Sequence, residues 1–148
     1  MSSLSCNKWD IRFLDLAKLV SSWSKDPSTK VGAVIVDSKN RIVSVGFNGF
    51  PQKIKDDARL EYRESKYNTI VHAECNAIMF ANKSLEGCTL YTYPFQPCSI
   101  CASMIIQSGI TRVVTFPLKE EYDRWKVNFE MAQDLFQEAN VNVDYINE

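Results

Sequence analysis

Histidine is almost missing from this chain. His72 is the only one among 148 residues, so any imidazole chemistry has to run through that position. An excess of charge of one sign is missing too, since 17 Lys and Arg against 18 Asp and Glu leave a net charge of −1. That balance argues against a surface built to coat nucleic acid, because phosphate contacts need a surplus of cations; a local basic pocket remains compatible with it. No apolar run approaches the ~18–20 residues needed to cross a bilayer. The opening MSSLSCNKWDIRFLDLAKLV breaks its apolar positions with polar ones and has no basic start, unlike a secretory leader. The expectation is a cytoplasmic protein with neither a membrane nor a nucleic-acid partner. Repeats, linkers and low-complexity stretches are also absent, so residues 1–148 read as one domain. Cysteine is better supplied, with Cys6, Cys75, Cys88, Cys98 and Cys101. An odd count without a secretion signal speaks against a disulfide framework and leaves metal binding or burial.

Apolar spacing supplies the element order. Ile11, Leu14, Leu16 or Ala17, and Val20 recur near helical period, predicting an amphipathic helix that "KDPSTK" ends. "VGAVIVD" (31–37) is apolar throughout, like a strand buried on both faces, and "RIVSVGFNG" (41–49) returns as its hairpin partner. Residues 51–70 are polar and weakly periodic, predicting a long loop with one helical turn; such loops are often functional. A helix starting at "HAEC" is expected to end near Gly87, followed by a strand at 89–94. A second helix from Cys98 stops at Gly109 and leads into a strand at 112–117. A last helix over "EYDRWKVNFEMAQDLFQEAN" and a strand over 141–146 complete the order α-β-β-α-β-α-β-α-β. That order predicts a three-layer α/β fold around a five-stranded sheet.

The chemistry concentrates at "HAEC" (72–75) and "PCSIC" (97–101). Cys98 and Cys101 stand three apart at a helix start, where both sulfurs can face one point and backbone N–H groups favour thiolates. His72 opens another helix and can bring an imidazole nitrogen to the same point. Two thiolates and an imidazole suit Zn²⁺ with its fourth position left for water. Glu74, in the first turn after His72, is the proton acceptor that such an open site needs. The alternative is a closed structural zinc, with Cys75 as fourth ligand in a non-enzymatic module; it would leave Glu74 buried beside the metal without a task. The H-x-E…P-C-x-x-C spacing is the known signature of zinc nucleobase deaminases.

Taken with "SKDPSTKVGAVIV" (24–36), "GFNGFP" (46–51), "SLEGCTLYT" (84–92) and "IIQSGITRVV" (105–114), the chain resembles the cytidine deaminase superfamily, and within it the deoxycytidylate (dCMP) deaminases. The resemblance implies a three-layer α/β/α fold with a five-stranded mixed sheet and hydrolytic deamination of dCMP to dUMP and ammonia. It implies zinc on His72, Cys98 and Cys101, with Glu74 as proton shuttle. Cytidine, deoxycytidine, CMP and dCTP stay open as alternative substrates. It further implies that Asn48 binds the sugar and that Ala73 meets the pyrimidine edge through its backbone. Tyr122 and Trp125 are expected to cap the nucleotide, with core packing as their alternative role. Lys30 is expected near the 5′-phosphate, with a solvated surface lysine as the alternative. Between Tyr91 and Pro97 the chain is one residue longer than the family's usual run, which leaves the roles of Tyr93 and Phe95 open. A homo-oligomer is expected from the apolar helix after Cys98, and the resemblance implies assemblies up to a hexamer. Regulation by dCTP and dTTP with Mg²⁺ would draw on Lys53, Lys55, Arg59 and Arg63.

Overall fold

The chain enters its first helix, α1 (Lys8–Ser21), through a reciprocal cap. Asn7 Oδ1 accepts the N–H groups of Trp9 and Asp10 at 2.8 and 3.1 Å, and Asp10 Oδ2 accepts the Asn7 N–H at 3.3 Å. These bonds satisfy donors that the first turn would otherwise leave unpaired. The computed structural model describes residues 7–55, 57 and 60–147; Cys6 and Arg59 lie outside the described residues. Phe13, Leu14, Ala17 and Val20 form the buried stripe of α1, whereas Ile11 is 52% exposed. Phe13, not Ile11, therefore completes the predicted apolar face.

The strands are β1 (Gly32–Val36), β2 (Ile42–Phe47), β3 (Thr89–Tyr93), β4 (Arg112–Thr115) and β5 (Asn142–Tyr145). They form one sheet in the order β2-β1-β3-β4-β5. The pairs β1–β2 and β1–β3 are antiparallel, while β3–β4 and β4–β5 are parallel. The sheet is thus mixed, as expected. Every residue of β1 is buried, because helices cover both of its faces. Val34, Val36, Tyr91 and Val114 pack under α1. Ala33, Ile35, Leu90 and Val113 point the other way, toward α3 (Ala73–Met79), α4 (Ser99–Ser108) and α5 (Lys126–Glu138). This alternation produces the three layers.

Three boundaries differ from expectation. The segment expected to be a loop with one helical turn contains a longer, seven-residue helix, α2 (Arg63–Thr69), held by the buried Lys66 rather than by an apolar face. Helix α3 stops at Phe80 instead of continuing toward Gly87, since Asn82 and Ser84 favour local turn bonds over helix. The last helix starts only at Lys126. Residues Glu120–Trp125 form a 3₁₀ segment in which Tyr122 leaves helical geometry while its ring meets Phe95 edge-on at 4.8 Å.

A buried polar lock joins α1 to the sheet. Arg112 donates to both carboxylate oxygens of Asp10 at 3.0 and 2.8 Å and to Asp144 at 2.8 Å, and Tyr91 Oη donates to Asp10 at 2.6 Å. Burial alone would push the Asp10 carboxyl up. Bonds from Arg112 and Tyr91 outweigh that and hold it below its ordinary value. The lock's stability contribution is therefore present above the unfolded value of 3.8 and fades as pH falls through the lower folded value. Arg112→Met should cost about 3 kcal/mol or more, because it strands a buried carboxylate. Urea midpoints for Arg112→Met against wild type check this, and the difference should shrink toward acidic pH.

Candidate active site

Two helix starts meet at the site, and each is tied down by its own contacts. Val71, directly before His72, pairs with Gly49 across an isolated antiparallel bridge, with N–H to carbonyl distances of 2.7 and 3.1 Å. Asn76 Nδ2 donates to the Phe47 carbonyl at 2.8 Å. Gly46 lets α3 lie directly on β2: a Cβ there would overlap the Ala73 carbonyl and stand 2.6 Å from Ala77 N. Across the site, Asn128 of α5 holds the first turn of α4, accepting the Ser99 N–H at 2.9 Å and donating to Ser99 Oγ at 3.0 Å.

These ties bring His72 Nδ1 to 3.4 Å from Cys98 Sγ and 3.3 Å from Cys101 Sγ. All three ligand atoms lie within 4.8 Å of one another. Two sulfurs and one imidazole nitrogen form a donor set for zinc. Cys75 Sγ touches Cys101 Sγ at 3.5 Å yet is not part of the three-atom cluster, which disfavours the closed four-ligand site. Protons compete with a cation for these atoms. A hydrogen bond from Cys101, aided by His72, holds the Cys98 thiol down to about 4. The bond with Cys98 raises His72 to about 9. Bonds to Cys75 and Cys98 raise Cys101.

Glu74 is 4% exposed and lines the same cleft as His72 and Cys98. Burial, with the Cys98 charge adding to it, pushes its carboxyl up to about 7. A group poised there can take a proton and return it near neutral pH.

The cleft encloses about 720 Å³, part of it open to solvent. Of the sequence-expected residues, His72, Ala73, Glu74, Cys98, Asn48 and Trp125 line it, whereas Tyr122, Lys30 and the fully buried Cys101 do not. Tyr122 reaches the cleft wall only through Phe95. Lys30 is exposed, and its neighbours Thr29 and Val31 take the two lining positions. Phe95 forms part of the wall, while Tyr93 packs against Phe116 at 5.6 Å instead. Asn48 works mainly as an anchor. Its Oδ1 accepts the Val31 N–H at 2.9 Å, and its Nδ2 donates to Thr29 O at 2.9 Å and to Asp26 at 3.4 Å.

The residue that sequence reading missed is Lys66, only 6% exposed. Its Nζ is held by Asp26 Oδ1 and Ser28 Oγ, each at 3.1 Å. Asp26 also accepts the Ser28 and Thr29 N–H groups, so one carboxylate ties the loop before β1 to α2. Arg63 and Arg124 line the cleft beside Lys66. A lysine inside a polar run carries no signal of burial, which is why pattern alone could not single it out.

Residues 7–116 match the family model described as the cytidine and deoxycytidylate deaminase zinc-binding region. A protein named as an uncharacterized deaminase in the luxG 3′ region of Aliivibrio fischeri is 49% identical over 141 residues, covering 95% of each chain. The deoxycytidylate deaminase of Pongo abelii is 39% identical, covering 93% of this chain and 86% of its own. Among solved structures, the dCMP deaminase of cyanophage S-TIM5 in complex with dCMP and dUMP superposes with a TM-score of 0.77 at 24% identity, covering 95% of this chain and 98% of that one; at this identity the likeness speaks for the fold.

Two outcomes follow from the cluster. Cys98→Ala and Cys101→Ala should each lose the metal by elemental analysis, and zinc affinity should fall as pH drops, because protons occupy the same atoms. Glu74→Gln should raise the melting temperature of the zinc-free protein near pH 7. The raised carboxyl means that ionised Glu74 opposes folding above its unfolded value of 4.5, progressively up to about 7. Equal melting temperatures for Glu74→Gln and wild type at neutral pH would contradict that burial cost.

Proposed function

The chain belongs to the cytidine and deoxycytidylate deaminase family, and we propose that residues 1–148 act as one zinc-dependent domain hydrolysing dCMP to dUMP and ammonia. The observation that carries this reading is the His72–Cys98–Cys101 cluster, whose His72 and Cys98 line a cleft with a buried carboxyl pushed up to about 7 and with three cationic side chains.

His72, Cys98 and Cys101 would hold zinc, which would supply a Lewis acid that makes water nucleophilic near neutral pH. Glu74 takes a proton from that water on its carboxylate and passes it to N3 of cytosine, which makes C4 more electrophilic. As the water oxygen bonds to C4, Glu74 takes the second proton from that oxygen and delivers it to the amino group, and the C4–N bond breaks to release ammonia. Ala73 meets the pyrimidine edge through its backbone, and Phe95, Trp125 and Phe129 supply an apolar wall. Trp125 adds a buried indole N–H that is without a hydrogen-bond partner among the described residues, a donor for a nucleotide oxygen. Both amide hydrogens of Asn48 are engaged, so what it offers the sugar is an acceptor, suited to a hydroxyl. Lys66, Arg63 and Arg124 take the 5′-phosphate in the place first assigned to Lys30; charge-assisted bonds of this kind are among the stronger ones.

The same reading extends to assembly and control. Ile100 and Met104 of α4 are 63% and 44% exposed, an apolar surface suited to a second copy and to a homo-oligomer up to a hexamer. Regulation by dCTP and dTTP with Mg²⁺ rests on the resemblance alone. Lys53 and Lys55 are exposed cations outside the cleft lining, whereas Arg63 lies within it. Free nucleotides place the activity in the cytoplasm, and among the described residues no helix is long and apolar enough to cross a membrane.

Ammonia release across cytosine, cytidine, CMP, dCMP and dCTP should rank dCMP first. Glu74→Gln should lower turnover at least ~10²-fold with zinc retained, and wild-type kcat/KM should fall at acidic pH, as Glu74 becomes protonated. Arg63→Ala and Arg124→Ala should raise KM for dCMP while leaving deoxycytidine turnover little changed. Equal loss on both substrates would remove the phosphate role.

A further inference from the structure

Cys75 is a buried thiol that the proposed chemistry does not use. It lies one helical turn beyond His72 on α3 and is 8% exposed. Its Sγ stands 3.5 Å from Cys101 Sγ and 3.2 Å from Met104 Sδ. The three sulfurs run inward from the surface, because Met104 is 44% exposed and Cys101 fully buried. A disulfide would require the Cys75 and Cys101 sulfurs to close from 3.5 Å to ~2.05 Å. Cys101 is also one of the three metal ligands, so whatever happens to its sulfur decides whether the metal stays.

We propose that Cys75 and Cys101 are a modification site at which peroxide forms a reversible disulfide and ejects the metal; this rests on the zinc reading above. One of the two sulfurs attacks an oxygen of hydrogen peroxide. The O–O bond breaks, water leaves, and a sulfenic acid remains. The second thiol attacks that sulfur, forming the S–S bond and releasing a second water. In total two thiols and one peroxide give one disulfide and two waters; sulfur is oxidised and peroxide oxygen reduced. Cys101 sulfur is then no longer a thiolate. His72 and Cys98 alone are too few protein ligands to keep zinc in place. A small dithiol reverses the change by exchange, restoring Cys101 as a ligand. Cys75 thereby gives Cys101 a resolving thiol other than its fellow cluster member Cys98, and resolution to a disulfide keeps the sulfur from irreversible sulfinic acid.

The test uses zinc-loaded protein exposed to hydrogen peroxide. It reads zinc release with a chromogenic chelator, intact mass, and the cross-linked peptides after digestion. Wild type should release zinc in step with the loss of two hydrogens and a Cys75–Cys101 cross-link, and dithiothreitol with added zinc should restore the bound metal. Cys75→Ala and Cys75→Val, each checked for native circular dichroism and full zinc before oxidation, should lose zinc several-fold more slowly and recover less of it on reduction. A wild-type cross-link confined to Cys98–Cys101, or equal release and recovery in the variants, would overturn the proposal while leaving the metal assignment standing. Protein that carries no zinc before peroxide is added would overturn both.

Discussion

The meeting of His72 Nδ1 with two sulfurs from another helix, at 3.4 and 3.3 Å, is the constraint on which the rest of the molecule depends. Ligands on separate elements converge only if those elements are fixed in translation as well as angle. Helix α3 is only seven residues long and would be marginal alone. It is placed by Gly46, which permits backbone contact with β2, and by the Gly49–Val71 bridge one residue before the histidine. Helix α4 is placed by Asn128, which answers the Ser99 N–H from a helix that packs beside it. The sheet order supports both, since α3 lies over β1 and β2 while the chain leaving β3 runs directly into Cys98.

Charge burial is the second theme, and it is handled in two ways. The Asp10–Arg112–Asp144 lock and the Asp26–Lys66 pair hold opposite charges with most of their hydrogen-bonding capacity filled. Such arrangements specify geometry more than they add stability. Glu74 is treated differently. It is buried with no cation except the neighbouring His72 acting to lower it, so desolvation dominates and its carboxyl sits near 7. Strain of this kind is what acid–base work near neutral pH requires, and it opposes folding. Beside Glu74, Cys75 packs its thiol against Cys101 of the candidate cluster at 3.5 Å.

Much of this was legible before any coordinates. The apolar run of β1, buried on both faces, and the helix ended by Gly109 follow from local rules: unbroken β-branched sequence for a covered strand, and left-handed backbone for a helix stop. His72, Glu74, Cys98 and Cys101 were legible because their types are rare or chemically pointed and their spacing places them on helix starts. Less legible were the ends of α3 and α5 and the existence of α2. Helix α2 has no apolar stripe to announce it, and its buried anchor is a lysine.

The sequence by itself determined the layer order and singled out the residues of the candidate cluster and its neighbouring carboxyl, because each is written in short-range spacing or in periodicity. Only the tertiary structure decided which cations face the cleft. Lys30, Arg63 and Lys66 are alike in a polar sequence, yet Lys30 points away while Lys66 is held by Asp26, forty residues earlier in the chain. It also decided that Asn48 spends its amide on the loop before β1, and that Cys75 stands beside the cluster without joining it. These outcomes depend on distances between residues remote in sequence, which packing sets and local pattern does not encode.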